Sequence, residues 1–140
     1  TSTPTTGATF TVDNTAPTLT FDPAHDDTGL ADSINITITF SEPVRLINAV
    51  GSPPTKVLND DNVDSLITLK YPNVGPNLAI DFEATINGNK TIITINPTDV
   101  VDGISHLVKS QSINVAIGAT VEDYVGHAIT GSNATFTTPE

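Results

Sequence analysis

Sixteen carboxylates stand against five Lys and Arg in this 140-residue chain, and they are the side chains with the most chemistry to offer. They gather in four places: Asp13 beside Asn14; Asp22, Asp26, Asp27 and Asp32; Asp60, Asp61, Asn62 and Asp64; and Glu122 with Asp123. Oxygen-rich loops of this kind suit calcium, which takes six to eight oxygen ligands. If the first strand and the turn before the last strand share one end, Asp13, Asp22 and Asp123 would meet around such an ion. Capping of an Asx turn accounts for Asp13-Asn14 without any metal. Asp60-x-Asn62-x-Asp64 has the alternating spacing of an EF-hand loop. Ser65, however, stands where that loop needs Gly, and Tyr71 where it needs a bidentate Glu. A helical turn capped by Asn59 or Asp60 accounts for the segment better.

Nucleophilic chemistry has less material. Ser105 and His106 are adjacent, so on an extended chain they face opposite sides and form no nucleophile–base pair. His25 and His127 lie in acidic loops, and the chain has no Cys, no G-x-S-x-G and no H-E-x-x-H. Asp81 and Glu83 share a face, as the solvated side of a half-buried strand does. Sugar recognition favours stacked aromatics, yet Trp is absent, and only Tyr71 and Tyr124 are available as exposed rings. Tyr124, within a turn, is expected to cover the core. These residues predict a protein that is not an enzyme.

The elements that must position these groups read as strands throughout. Residues 17–21, 34–40, 44–50, 66–71, 78–86, 90–95, 112–121 and 134–137 alternate apolar with polar or carry β-branched runs. Ile34, Ile36, Ile38 and Phe40 fall on one buried face. Residues 78–86 and 90–95 read as a hairpin through Asn87-Gly88-Asn89, with Gly88 free to take a positive φ. Pro, Gly, Asn and Asp punctuate the rest, and nothing repeats at helical period. Seven to eight strands in an all-β, antiparallel, Ig-like β-sandwich of Greek-key type is the expected fold.

Composition sets the outer bounds. With no Cys, Met or Trp the chain has no disulfide and no thiolate metal site. A formal net charge of -11 repels nucleic-acid phosphates and anionic lipid, so neither is an expected partner. No apolar run approaches the roughly 20 residues that span a bilayer. Residues 7–13 (Gly-Ala-Thr-Phe-Thr-Val-Asp) echo residues 133–139 (Asn-Ala-Thr-Phe-Thr-Thr-Pro) near the other end. That echo is how one unit of a tandem array would look. Residues 1–13 are accordingly expected to be a linker or the end of a preceding repeat, and 14–140 the domain itself.

Three segments together resemble the bacterial immunoglobulin-like repeats of large surface adhesins and S-layer-associated proteins. They are residues 12–17 (V-D-N-T-A-P), 36–44 (I-T-I-T-F-S-E-P-V) and 121–128 (V-E-D-Y-V-G-H-A). In that family the last is usually an Asp-x-x-Gly-Asn-Ala turn feeding the final strand; here His127 stands where Asn is common. The resemblance covers roughly residues 12–138. It implies a non-catalytic spacer or stalk domain outside a bacterial cell, flanked by like repeats and often stiffened by calcium at the hinges. An isolated domain is expected to be monomeric. Two rival readings stay open. One is a ligand-binding adhesive module using loops 22–29 and 60–64 as its recognition end. The other is an accessory domain of a secreted hydrolase.

Overall fold

Branched side chains at alternate positions make the centre of the fold. In the segment Ile-Thr-Ile-Thr-Phe, each Ile and the Phe point inward while each Thr points out, as pleating requires. The computed structural model describes residues 14–28, 34–49, 51–74, 78–98, 100–101, 104–105 and 110–138. Its elements in chain order are β1 (Leu19–Asp22), β2 (Ile36–Phe40), β3 (Arg45–Leu46), a 3-10 turn η1 (Val63–Leu66), β4 (Ile67–Tyr71), β5 (Leu78–Ala79) and β6 (Phe82–Ile86). There follow β7 (Ile92–Pro97), β8 (Val100–Val101), β9 (Ile104–Ser105), β10 (Ser112–Ile117), β11 (Val121–Glu122) and β12 (Ser132–Thr137).

Two four-stranded antiparallel sheets carry the fold, ordered β1-β2-β7-β6 and β12-β10-β4-β5. Neighbours such as β2–β7 and β10–β4 are not consecutive in sequence, so connections cross between the layers as in a Greek-key sandwich. Ile36, Ile38, Ile93 and Ile95 from one sheet join Leu69, Tyr71, Ile113, Val115 and Phe136 from the other in one buried core. Burying each such side chain stabilises the fold by about 1.5–3 kcal/mol. Two short ladders, β11–β3 and β8–β9, complete the described strands.

The all-β sandwich agrees with the expectation, but the described strands number twelve rather than seven or eight. Two long runs that read as single strands change partner midway. Residues 78–86 divide into β5, paired with β4, and β6, paired with β7 in the other sheet. Ile80 sits buried at the crossing, its N–H donating to the Leu69 carbonyl at 2.9 Å. Residues 112–121 likewise divide into β10 and β11, and of residues 44–50 only Arg45–Leu46 pairs as a strand. Hydrophobic alternation sees burial, not which sheet supplies it.

Strand register defines two poles. Leu19 pairs with Phe40 and Ile117 with Ser132 at the pole where residues 14–18 lead in, together with the 87–91 turn. Asp22 pairs with Thr37 and Ser112 with Thr137 at the opposite pole, where β12 ends. These are the N-terminal and C-terminal poles.

Candidate functional site

The most organised polar chemistry lies in the turn after β11. Asp123 is 1 % exposed, and its Oδ1 accepts backbone N–H bonds from Val125 (2.9 Å), Gly126 (2.7 Å) and His127 (2.9 Å). Its Oδ2 lies 3.0 Å from Nδ1 of the His127 ring. Burial pushes this carboxyl up, but the His127 bonds, backbone and ring, and the Gly126 and Val125 N–H groups outweigh it and bring it down to about 2. Gly126 takes φ +109, a left-handed value that L side chains avoid. His127 therefore does with a ring nitrogen what an Asn amide would do at that position. The tight turn thrusts Tyr124 and Val125 outward, 57% and 64% exposed.

The residue before Asp123 organises a second group. Register places Glu122 opposite Arg45, and the Leu46 N–H donating to the Lys56 carbonyl (2.8 Å) brings Lys56 alongside. Glu122, 7% exposed, accepts at one oxygen from Arg45 Nε (3.0 Å) and Lys56 Nζ (2.9 Å). The Lys56 hydrogen bond and Arg45 lower its carboxyl pKa against the opposing effect of burial. The Arg45 guanidinium also lies 5.9 Å from the Tyr124 ring centroid, within cation–π range. Lys90 closes the group from the β6–β7 turn. It holds the left-handed φ of 61, and its carbonyl accepts from Val44 N–H at 3.0 Å.

Arg45, Lys56, Val57, Leu58, Lys90 and Tyr124 line a cleft of about 340 Å³ at the N-terminal pole. Three of the chain's five Lys and Arg thus converge on one cleft of a strongly acidic protein. One oxygen of Glu122 uses a single donor from each of Arg45 and Lys56, and Lys90 pairs with no carboxylate among the described residues. Free N–H donors over an apolar floor suit an anionic group carried on an apolar or ring-shaped neighbour. A second cleft of about 310 Å³, lined by Ala16, Pro17, Thr18, Leu19, Thr130, Gly131 and Ser132, lies where the chain leads in at the same pole.

The acidic residues singled out in the sequence fare differently. Asp13 lies outside the described residues. Asp22 is exposed at the C-terminal pole and Asp123 is buried at the N-terminal one, so the two are not brought together. Asp123, with four donors on its two oxygens, does not fit a calcium ligand. Among the described residues no three His, Asp or Glu side chains gather as a metal site. The 22–28 loop is tied to the last strand. Asp26 N–H donates to the Thr135 carbonyl (2.7 Å), and Thr137 N–H to the Asp27 carbonyl (2.9 Å). Asp60 and Asp64 belong elsewhere, accepting N–H bonds from Ile86 (2.8 Å) and Ala84 (2.7 Å) along β6. The helical turn starts later than expected, at Val63 after Asn62, with no side-chain cap; Asn59 Oδ1 instead accepts from Asp61 N–H at 3.0 Å in the turn before it.

Against the bacterial Ig-like domain description, a family model matches residues 13–138. The chain belongs to this bacterial Ig-like domain family. Among solved structures, this Ig-like domain is similar to surface layer protein SbsC, domains 1-6, at 16% identity and a TM-score of 0.53, covering 90% of this chain and 14% of that one. It thus spans a small part of that protein, and the likeness establishes the fold alone. CopC from Methylosinus trichosporium OB3b aligns at 12% identity and a TM-score of 0.47, over 85% of this chain and 88% of that one. No curated protein matches the chain significantly.

The aromatic expectations reverse. Tyr71, expected at the surface, is 2% exposed in the core of the Ig-like domain, while Tyr124, expected to cover the core, stands out beside Arg45. His106 lies outside the described residues, so the Ser105–His106 pair is not placed. Sequence reasoning missed the cationic cleft. Its one available signal was scarcity, since any two of five basic residues meeting in so acidic a chain is notable.

Proposed function

We propose that this Ig-like domain is a mechanical spacer in a bacterial cell-surface protein, one unit of an end-to-end array and not a catalyst. The observation that carries the reading is the direction of its terminal strands. β1 and β12 both run from the N-terminal to the C-terminal pole, each hydrogen-bonded along its length to an antiparallel neighbour. Tension between the termini therefore loads the β1–β2 and β10–β12 bonds in shear, all together, instead of unzipping them one by one. The leader adds support. Residues 8–11 and 134–137 are both Ala-Thr-Phe-Thr, and in β12 Ala134 and Phe136 are the core-facing pair.

Calcium at the hinges is not needed for this reading, since the described carboxylates do not fit a shared site. Single-molecule pulling on the chain between its termini is the test. The expected trace shows one force peak followed by a length gain on the order of 400 Å, from about 3.3–3.6 Å per released residue. Gradual extension without a peak would sink the mechanical reading. Repetition with a chelator shows whether a cation contributes.

A further inference from the structure

A locally cationic cleft at the N-terminal pole, beside the carboxylates of Glu42 and Asp60, stands opposite an acidic loop at the C-terminal pole. At the N-terminal pole Arg45, Lys56 and Lys90 surround the cleft beside Tyr124, and Val57 is 53% exposed. At the C-terminal pole the β1–β2 loop presents Asp22, Asp26 and Asp27, and the described part of this loop holds no Lys or Arg. Asp26 has a side chain 84% exposed, and His25 is its neighbour at 3.5 Å. Hydrogen bonds from this loop to Thr135 and Thr137 hold it beside the point where the chain leaves. The acidic loop thus travels with the departing strand, and the cationic cleft lies at the pole where the chain arrives.

From this polarity we propose that the cleft is a docking seat for the acidic C-terminal pole of a preceding, like domain. The inference rests on the spacer reading above. Linker length makes the contact hard to avoid. The Ala-Thr-Phe-Thr echo aligns Thr11 in sequence with Thr137, at which β12 ends. The five residues 12–16 then separate Thr11 from Pro17, which is buried. Five extended residues reach no more than about 18 Å, comparable to the width of a four-stranded sheet at about 4.8 Å per strand. The preceding pole is therefore confined over the face that holds the cleft, at an effective concentration in the millimolar range. An exposed carboxylate such as Asp26 meets Lys90 and the free donors of Arg45 and Lys56. Val57 and Tyr124 give the contact an apolar centre.

The test joins a first copy ending at Thr137 to a second copy beginning at Val12, so that the five residues 12–16 lead into Pro17, and compares amide NMR spectra of the second copy with those of the single chain. Displaced resonances around Arg45, Lys56, Lys90 and Tyr124 are expected, together with ordered alignment of the two domains. Both effects should vanish near 1 M salt, where the screening length falls to about 3 Å. Lys90→Glu in the second copy should abolish the displacement, and Asp22→Lys with Asp26→Lys in the first should restore it. Ordered domains with unmoved cleft resonances would overturn the seat and leave the spacer reading standing. Independent tumbling would overturn the seat as well. The mechanical reading falls only with a featureless pulling trace. Displacement of the same resonances in the single chain by a polyuronate, with none in the joined protein, would assign the cleft to an acidic polysaccharide and overturn the proposal.

Discussion

Asp123 shows how one buried side chain can fix a turn. Three backbone N–H groups in succession point at a single oxygen, which a neutral or shorter side chain serves less well. Asp123→Ala leaves those donors without their acceptor inside a tight turn, and Tm should fall by roughly 5–10 °C in calorimetry at pH 7. Asp123→Asn keeps one acceptor oxygen and loses the charge, so a smaller fall is expected. The pH dependence separates the two effects. A carboxyl lowered to about 2 from 3.8 contributes stability that is complete above the higher value and disappears as pH falls through the lower one. The Asn variant should therefore lose less Tm than the parent between pH 4 and pH 2. Equal acid sensitivity in both proteins would remove Asp123 from the explanation. His127→Asn should keep the turn, because only the Nδ1 bond needs replacing.

At the scale of elements, the 59–66 segment seals a sheet. β6 is the outer strand of its sheet, and an unpaired outer strand is a template for association. Asp60 stands in the turn before η1, and Asp64 within η1. Ala84 and Ile86 are two apart on β6, about 6.7 Å, and each donates its outward N–H to one of these carboxylates. Asp60→Ala and Asp64→Ala should each cost about 1 kcal/mol in urea unfolding. The double variant should also self-associate in light scattering, and a monomeric double variant would deny the sealing role. The sequence shows the acidic spacing but not this purpose, because the N–H partners lie 20 and 26 residues away. The neighbouring turn teaches a related lesson. Gly88 looked like the flexible residue, yet the left-handed angle belongs to Lys90, and an added Cβ at Gly88 meets nothing within 4 Å. Asn87 is the reason, its Oδ1 accepting from Thr91 N–H (2.8 Å) and Ile92 N–H (3.0 Å) and so setting where the chain reverses. Gly88→Ala should raise stability by about 0.4–1 kcal/mol through the unfolded chain, and Lys90→Gly should raise it by about 0.5–1 kcal/mol by relieving the left-handed angle. Strand existence was legible because alternation is local. Sheet assignment, side-chain acceptors and the convergence of Arg45, Lys56 and Lys90 were not, because each depends on segments distant in sequence.

For the whole molecule, excess charge and local pairing pull stability in opposite directions with pH. A formal net charge of -11 at pH 7 makes the folded chain repel itself, and that repulsion weakens as pH falls toward the sequence pI near 4.2. Glu122 and Asp123 resist the same descent. Both have lowered pKa values, so their contributions stay whole down to about 4.5 and 3.8, their ordinary values, and disappear only below them. Between pH 7 and about 4.5 repulsion relaxes while the buried pairs remain charged, so stability should rise. Below that range protonation first of Glu122 and then of Asp123 should reverse the trend. Calorimetry in dilute buffer should accordingly show a Tm maximum on the acid side of neutrality. Near 1 M NaCl, with screening over about 3 Å, the rise from pH 7 should flatten and the acid fall should persist, because the Asp123 hydrogen bonds are buried beyond the reach of salt. A Tm that declines steadily from pH 7 downward at low salt would mean that pairing outweighs repulsion everywhere, and that the charge of this surface has little effect on folding.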